Sequence, residues 1–218
     1  FLGFMYYEGK YVKQDIEKSI YYLSLSAKQN DSEAQYILGR IYYSDMHVPH
    51  DISKSIYFLT LSANQNNSNA QYVLGIIYYK NEVIPRNIDK SIYYFTLSAN
   101  QNNSDSQCAL GIIYHNGEYV KRDMRKSIYY LMLASNQYNS NAQFILGRIY
   151  YYGEFIARDI NKSLYFLTLS ANQNNADAQF YLGLIYYKSK YVSKNIKKSL
   201  FYLELSYKNK NQEASYYI

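Results

Sequence analysis

The sequence predicts an all-α protein, a right-handed α-solenoid of stacked helix-turn-helix pairs with a 36-residue period. Three dipeptides carry this prediction, because each recurs along the 218 residues and no insertion breaks the period. Leu-Gly begins at Leu2, Leu38, Leu74, Leu110, Leu146 and Leu182. Lys-Ser begins at Lys18, Lys54, Lys90, Lys126, Lys162 and Lys198. Ala-Gln begins at Ala34, Ala70, Ala142 and Ala178, with Ser106-Gln107 as the variant.

Helix A, the first helix of each pair, is predicted from the apolar periodicity of the stretch AQYILGRIYY in repeat 34–69. Its apolar residues share one face at spacings of three and four: Ala34, Ile37, Leu38, Ile41 and Tyr42. The loop SDMHVPH follows, and it leads to an aspartate, Asp51. An aspartate there predicts the N-cap of the second helix, because its carboxylate accepts a backbone N–H that the first turn leaves unpaired.

Helix B, the second helix, presents small and apolar residues on one face: Ile52, Ser55, Ile56, Leu59, Ser62 and Ala63. The small residues of both helices let neighbouring helices approach closely. The helix ends near Gln65, and Asn66 falls where the chain must reverse in a left-handed conformation, which asparagine tolerates. Tyr138 occupies this position in one repeat, so we expect a strained or altered turn there.

The organisation follows from the period. We predict a single array with a partial repeat at 1–33, full repeats at 34–69, 70–105, 106–141, 142–177 and 178–213, and the start of a further repeat at 214–218. Both ends fall inside a repeat, so we expect the chain to be a piece of a longer protein. A single helix pair cannot bury its own apolar face, whereas stacked pairs can.

The repeat unit resembles the Sel-1-like repeat, a relative of the tetratricopeptide repeat. The residues that carry the resemblance are Leu146, Gly147, Tyr150, Gly153, Ile156, Asp159, Lys162 and Ser163, and the similarity covers the whole chain. The chain departs from the family where a second loop glycine is usual, because Tyr11, His47, Val83, Tyr119, Phe155 and Tyr191 stand there. The resemblance implies a non-enzymatic adaptor that holds protein complexes together.

Composition limits the function. The net charge of +6 is weak for a nucleic-acid binder, so we expect no nucleic-acid ligand. No apolar run is long enough to span a membrane, and the lone cysteine, Cys108, favours a reducing intracellular compartment. We find no catalytic motif and expect no catalytic residue, cofactor, metal site or small-molecule substrate. His47 and His50 read as solvated loop residues rather than metal ligands.

A partner-binding groove is predicted on the side of helix A that faces away from the core. In solenoids similar to this family the A helices line the concave surface, and an extended or helical peptide or a partner protein is the expected ligand. Three ladders of residues fall on that side. The first is Tyr36, Tyr72, Cys108, Phe144 and Phe180; the second is Arg40, Ile76, Ile112, Arg148 and Leu184; the third is Tyr7, Tyr43, Tyr79, His115, Tyr151 and Tyr187. Tyrosine and arginine are the residue types that dominate binding energy at interfaces. The alternative to a binding groove is that these rings pack on neighbouring repeats.

Two other surfaces give alternative functions. An outer ridge on helix B, formed by Tyr57, Leu61, Tyr93, Leu97, Tyr129 and Leu133 with their repeat equivalents, suggests a structural spacer or a self-associating array. A basic edge along the loops between helices A and B suggests a weak binder of anionic surfaces; it contains His50, Arg86, Arg122, Arg158 and Lys194.

The lysine of each Lys-Ser pair lies in the first turn of helix B, where the helix dipole disfavours a cation. The N-cap acid can pair with it, yet Lys90 and Lys198 persist where the cap is Asn87 or Asn195. We therefore expect the lysine stem to cover a ring of a neighbouring repeat while the ammonium reaches a carbonyl at the end of an A helix.

Overall fold

The computed structural model describes residues 1–44, 46–80 and 83–218, and these residues form α-helices with no strand among them. The helices are α1 Leu2–Glu8, α2 Ile16–Lys28, α3 Ser32–Ser44, α4 Ile52–Asn64, α5 Ser68–Lys80, α6 Ile88–Asn100, α7 Ser104–Asn116, α8 Met124–Asn136, α9 Ser140–Tyr152, α10 Ile160–Asn172, α11 Ala176–Lys188 and α12 Ile196–Lys208. A 3₁₀ helix covers Gln212–Tyr216. The predicted all-α architecture of helix pairs is confirmed.

The helices belong to two compact units, Phe1–Ser106 and Gln107–Ile218. In the first unit α1 packs on α2, α3 on α4 and α5 on α6, and the pairs join through α2 against α3 and α4 against α5. In the second unit α9 packs on α10 and α11 on α12, with α8 against α9 and α10 against α11. Apolar side chains from consecutive pairs share core clusters, as Leu23 of α2 does with Ile37 and Ile41 of α3.

The helix ends follow the local sequence. Helix B begins after the predicted caps, and the Asp51 carboxylate accepts a hydrogen bond from the Lys54 backbone N–H at 2.9 Å. The same bond forms at Asp15, Asn87, Asp123, Asp159 and Asn195. Helix A begins two residues before the predicted alanine, for example at Ser140, because Asn139 caps it by accepting from the Ala142 N–H.

The two helices of a pair meet at a glycine of helix A. A Cβ atom at Gly39 would lie 2.5 Å from Leu59 Cγ and 3.2 Å from the Leu59 backbone nitrogen. The Ser55 hydroxyl donates to the Gly39 carbonyl at 2.8 Å across the same contact. Serines at the equivalent position donate likewise to Gly3, Gly75, Gly111 and Gly183. The expected close approach of small residues is confirmed, and it compensates for a mid-helix glycine that costs about 1 kcal/mol relative to alanine.

Within each unit, a buried glutamine joins a repeat to the one before it. Gln143 is 1% exposed, and its Nε2 donates to the Ser135 carbonyl at the end of α8 over 3.2 Å. Its Oε1 accepts from Gln173 Nε2, at the end of α10, over 2.7 Å. The same acceptor role is filled by Gln35, Gln71, Gln107 and Gln179. The Ala-Gln dipeptide therefore marks a polar link between three helices, a role that the periodicity alone does not reveal.

The turn from helix B to the next helix A places one residue in the left-handed region. Asn30, Asn66, Asn102 and Asn174 adopt φ of 61–64°, and Tyr138 adopts φ of 61° at the same position. The turn is therefore unaltered at Tyr138. The expectation of strain holds on geometric grounds, because a bulky side chain disfavours this conformation.

Replacing Tyr138 with asparagine is therefore expected to raise the free energy of unfolding by about 0.5–1 kcal/mol. The reciprocal change Asn66→Tyr is expected to lower it by a similar amount. Both side chains are exposed, so neither change disturbs the core. Urea denaturation followed by circular dichroism measures both; a Tyr138→Asn variant no more stable than the parent contradicts the account.

Candidate functional site

The first predicted ladder of helix A is a packing layer. Phe180 is 8% exposed and packs against Leu203 and Ala214, so its predicted place on an open groove is not found. Cys108 is also buried. Phe144 is half-buried, and its ring meets that of Tyr181 in the next repeat edge to face, with centroids 5.4 Å apart. For this ladder the geometry agrees with the alternative explanation, in which the rings pack on neighbouring repeats.

Tyr36 and Tyr72 share this packing role in the first unit. Tyr36 contacts the core clusters of its own repeat and of the next. The Tyr72 ring lies 5.9 Å from that of Phe95 on the paired helix. Both side chains are half-buried.

The second and third ladders lie further out, and we call them the A-helix face. In the first unit it comprises Tyr7, Arg40, Tyr43, Ile76 and Tyr79; in the second it comprises Ile112, His115, Arg148, Tyr151, Leu184 and Tyr187. Arg40, Arg148 and Tyr187 are exposed and the others are half-buried. Burial raises the pKa of Tyr43, whose ring contacts the core of the following repeat. The A-helix face thus combines apolar and aromatic side chains with two exposed guanidinium groups.

Three aromatic rings surround Arg148 on this face. Its guanidinium lies 5.6 Å from the ring centroid of Phe144, 5.9 Å from that of Tyr152 and 5.3 Å from that of Tyr181. Phe144 and Tyr152 flank Arg148 by one turn on α9, and Tyr181 comes from α11. At the equivalent position in the first unit, Arg40 lies over the ring of Tyr36 at 5.7 Å. The three rings hold Arg148 by cation–π attraction, which leaves the N–H groups at the guanidinium edge for other partners.

A cleft of about 360 Å³ lies beside Arg148. Ile112, Met124, Ile145 and Ile149 give it apolar walls. Polar and aromatic groups also line it: His115, Asn116, Arg148, Tyr152, Glu154 and Phe155. The volume lies in the range of about 300–1,000 Å³ that ligand pockets occupy. All these residues lie in the second unit.

Tyr152 contributes an aromatic wall that the ladders did not include. The side chain is 41% exposed, and its hydroxyl lies 3.4 Å from that of Tyr181. Burial, the largest cause, raises the pKa of Tyr152, and the hydrogen bond to Tyr181 raises it further. The available sequence signal was a departure from the repeat, because Lys80, Asn116 and Lys188 stand at the equivalent position.

Part of the predicted basic edge has a structural role. Arg158 Nε donates to the Tyr151 carbonyl at 2.8 Å and Nη2 to the Tyr152 carbonyl at 2.9 Å, which caps the end of α9. The same guanidinium stacks 4.3 Å from the ring centroid of Tyr191 in the next loop and hydrogen-bonds its hydroxyl. Arg122 repeats the arrangement with the carbonyls of His115 and Asn116 and the ring of Phe155. Phe155 and Tyr191 stand where the Sel-1-like repeat usually has a second loop glycine, and there they stack on the arginine of the preceding repeat.

The lysines of the Lys-Ser pairs lie over rings of their own repeat. Lys90 Nζ is 5.0 Å from the ring centroid of Tyr78, on the paired helix A. Lys18, Lys54, Lys126, Lys162 and Lys198 make the same contact at 5.0–5.4 Å. The prediction of a neighbouring repeat's ring is wrong, because the ring one turn from the end of helix A is nearer. The carbonyls at that helix end are instead reached by Arg122 and Arg158.

Cation–π contacts explain why the lysine persists where the cap is asparagine. Lys198 Nζ lies 5.2 Å from the Tyr186 centroid beside the cap Asn195. An exposed contact of this kind contributes about 0.5–1 kcal/mol, enough to offset the unfavourable helix dipole. Lys18, Lys54 and Lys162 add ion pairs with the N-cap aspartates at 3.2–3.4 Å.

The outer ridge of helix B is less apolar at its surface than predicted. Its tyrosines are exposed, Tyr57 at 59% with Tyr93 and Tyr129 close to that value. Leu61, Leu97 and Leu133 are half-buried. At these three repeats the ridge therefore exposes tyrosines over half-buried leucines, while the equivalent Leu25 in the first repeat is exposed.

A metal site was the next possibility. Residues 1–44, 46–80 and 83–218 contain no cluster of three or more histidine, cysteine, aspartate or glutamate side chains that could hold a metal ion. Within the same ranges, no helix has both the length and the apolarity needed to cross a membrane.

Comparison with known proteins identifies the repeat. The family model described as Sel1 repeat matches six consecutive stretches: residues 1–31, 32–67, 68–103, 104–139, 140–175 and 176–211. These stretches cover most of the chain. No curated protein matches it.

Several solved structures are similar. A Sel1 repeat protein from Oxalobacter formigenes is 27% identical, with a TM-score of 0.85 over 94% of this chain and 84% of that one. A protective antigen present in uropathogenic Escherichia coli strains, which displays an SLR fold, is 25% identical, with a TM-score of 0.57 over 98% of this chain and 54% of that one. An immunity protein from Pseudomonas aeruginosa is 18% identical, with a TM-score of 0.59 over 88% of this chain and 74% of that one, and shares the fold alone.

Proposed function

The chain belongs to the Sel1 repeat family, and from that premise we propose that it is a non-enzymatic scaffold that binds a peptide or partner protein on its A-helix face. Sel1 repeat proteins are generally protein–protein interaction scaffolds. The observation that carries the proposal is the cleft of about 360 Å³ in the second unit, where apolar walls meet an exposed arginine and exposed aromatic rings. Aromatic and arginine side chains at the buried centre of a protein–protein interface supply most of its binding free energy.

The alternative surfaces have less support. On the outer ridge Leu61, Leu97 and Leu133 are half-buried, and the exposed side chains are mainly tyrosines, whose polar hydroxyls favour self-association less than leucines would. On the basic edge, Arg122 and Arg158 already cap helices and stack on rings. The basic edge borders clefts of its own, such as one of about 420 Å³ beside Arg122. The Arg122 guanidinium donates to backbone carbonyls, whereas Arg148 in the A-helix cleft is surrounded by three aromatic rings.

Selection of peptides from a random display library against the chain tests the proposal. The double variant Leu184→Ala/Tyr187→Ala alters the A-helix face beyond the cleft, and Tyr165→Ala/Phe201→Ala is the matched control on the outer ridge. Selected peptides are expected to bind the first variant about tenfold more weakly and the control unchanged, since each apolar contact at an interface contributes of order 1 kcal/mol. Thermal melting of both variants checks the fold. Peptide binding that depends on the ridge pair and ignores the A-helix pair contradicts the proposal.

A further inference from the structure

We infer that the cleft beside Arg148 is a binding site for an acidic peptide segment, with a large apolar side chain inserted between α7 and α9 and a neighbouring carboxylate paired with the Arg148 guanidinium. The inference rests on the function proposed above and goes beyond it, because it assigns the ligand chemistry and the residue that recognises it.

Arg148 supplies the positively charged group of the cleft. Its guanidinium is exposed, and Phe144, Tyr152 and Tyr181 surround it within 6 Å. Within the parts of the chain that the structure describes, no oxygen accepts a hydrogen bond from this guanidinium and no carboxylate lies within ion-pair distance of it. Rings attract the cation through their faces and accept none of its in-plane N–H groups. A carboxylate matches that planar fork, and the rings reduce the entropy lost when it binds.

The cleft also has apolar walls. Ile112 of α7, Met124 of α8, and Ile145 and Ile149 of α9 line it, and Ile149 is itself buried. A charged ligand alone would leave this apolar surface in contact with water, whereas an apolar side chain covers it. The site thus favours two adjacent groups of different character, an apolar anchor and a carboxylate.

A carboxylate on a peptide comes either from an acidic side chain or from the end of the chain. Ile112, Arg148 and Leu184 occupy the same helix position in three successive repeats of the second unit, so the face continues past the cleft along α11. A peptide segment can follow these helices with the anchor and the acidic side chain in its interior. The net charge of +6 also favours an acidic partner. We therefore assign the carboxylate to an aspartate or glutamate side chain and not to a chain end.

Equivalent positions in the chain supply a matched control. Arg40 has the same place in its helix, but among the residues that the structure describes Tyr36 is the one ring within cation–π range of it, and Val73 stands where Arg148 meets Tyr181. Ser44 stands where Arg148 meets Tyr152. An arginine at this register without the full set of rings therefore tests whether charge alone suffices.

Fluorescence anisotropy with short labelled peptides, all blocked at both ends, tests the inference. The probe contains Phe-Asp between glycine and serine residues, and its counterparts contain Phe-Asn or Ala-Asp. We expect the dissociation constant to rise about tenfold for each counterpart, because one loses the charged hydrogen bonds and the other the apolar anchor. Arg148→Lys should weaken Phe-Asp binding about fivefold while leaving Phe-Asn binding unchanged, since lysine lacks the planar fork.

Two further variants sharpen the result. Glu154→Gln removes an acid from the lining of the cleft and is expected to tighten Phe-Asp binding about twofold. Arg40→Ala is expected to leave it unchanged. Equal affinity for Phe-Asp and Phe-Asn, equal sensitivity to Arg40→Ala and Arg148→Lys, or the absence of saturable binding by the blocked Phe-Asp peptide each overturns the inference. Library peptides that bind the A-helix face without an acid and ignore Arg148→Lys overturn it while leaving the scaffold function intact.

Discussion

Replacing Gly39 with alanine is expected to lower the free energy of unfolding by about 2 kcal/mol. The new Cβ would lie 2.5 Å from Leu59 Cγ and 3.2 Å from the Leu59 nitrogen, so α3 and α4 must separate. Overpacking of this kind costs up to about 3 kcal/mol, and alanine returns about 1 kcal/mol through its higher helix propensity. The separation also stretches the hydrogen bond from the Ser55 hydroxyl to the Gly39 carbonyl.

The sign of this change separates packing from propensity. Helix propensity alone predicts a stabilised variant, whereas the packing account predicts a destabilised one. Arg40→Ala, at the next and exposed residue of α3, is the matched control and should change stability little. Urea denaturation followed by circular dichroism gives both values; a Gly39→Ala variant as stable as the parent contradicts the close approach.

Replacing Gln143 with leucine is expected to cost a similar amount, about 2 kcal/mol. The side chain is almost fully buried and forms one hydrogen bond to the Ser135 carbonyl and one from Gln173. Removal of a buried partner leaves polar groups under-satisfied, at about 1–3 kcal/mol. The Gln143 amide contacts the ends of both α8 and α10. The substitution should therefore weaken the packing of α9 against both helices.

A double-mutant cycle isolates the amide pair. Gln173→Ala alone should cost less than Gln143→Leu, because Gln173 is exposed and water can replace its partner. The coupling between the two substitutions is expected to be about 1 kcal/mol. Additive effects would show that the 2.7 Å contact contributes no coupling energy.

The periodicity predicted the helices well because their signals are local. The N-cap at Asp51 and the left-handed Asn66 depend on neighbours within a few residues, and both lie where expected. Tyr138 shows the limit of this reasoning, since the surrounding helices impose the turn on a residue that disfavours it.

The side-chain partnerships were harder to predict, because their spacing differs from the repeat. Arg158 meets Tyr191, and Gln143 meets Gln173, at separations that the 36-residue period does not highlight. The lysine rings were assigned to the wrong repeat for the same reason. Alignment of the repeats shows which positions are equivalent, but it does not show which side chains are in contact.

The candidate site was predicted in part. The face of helix A and Arg148 were deduced from helical spacing, whereas Tyr152 and Phe155 were not. Tyr152 departs from the repeat, and such departures are where one repeat can acquire a surface that the others lack. Phe180 was assigned to the surface because periodicity separates two sides of a helix but does not show how far the next repeat covers them.

Hydrogen–deuterium exchange of the chain, alone and with a library-selected peptide, tests the central claim most directly. The account predicts that the peptide slows exchange in α7, α9 and α11, the helices that carry the A-helix face of the second unit. Slower exchange confined to the B helices α8, α10 and α12 would contradict it and place binding on the outer ridge.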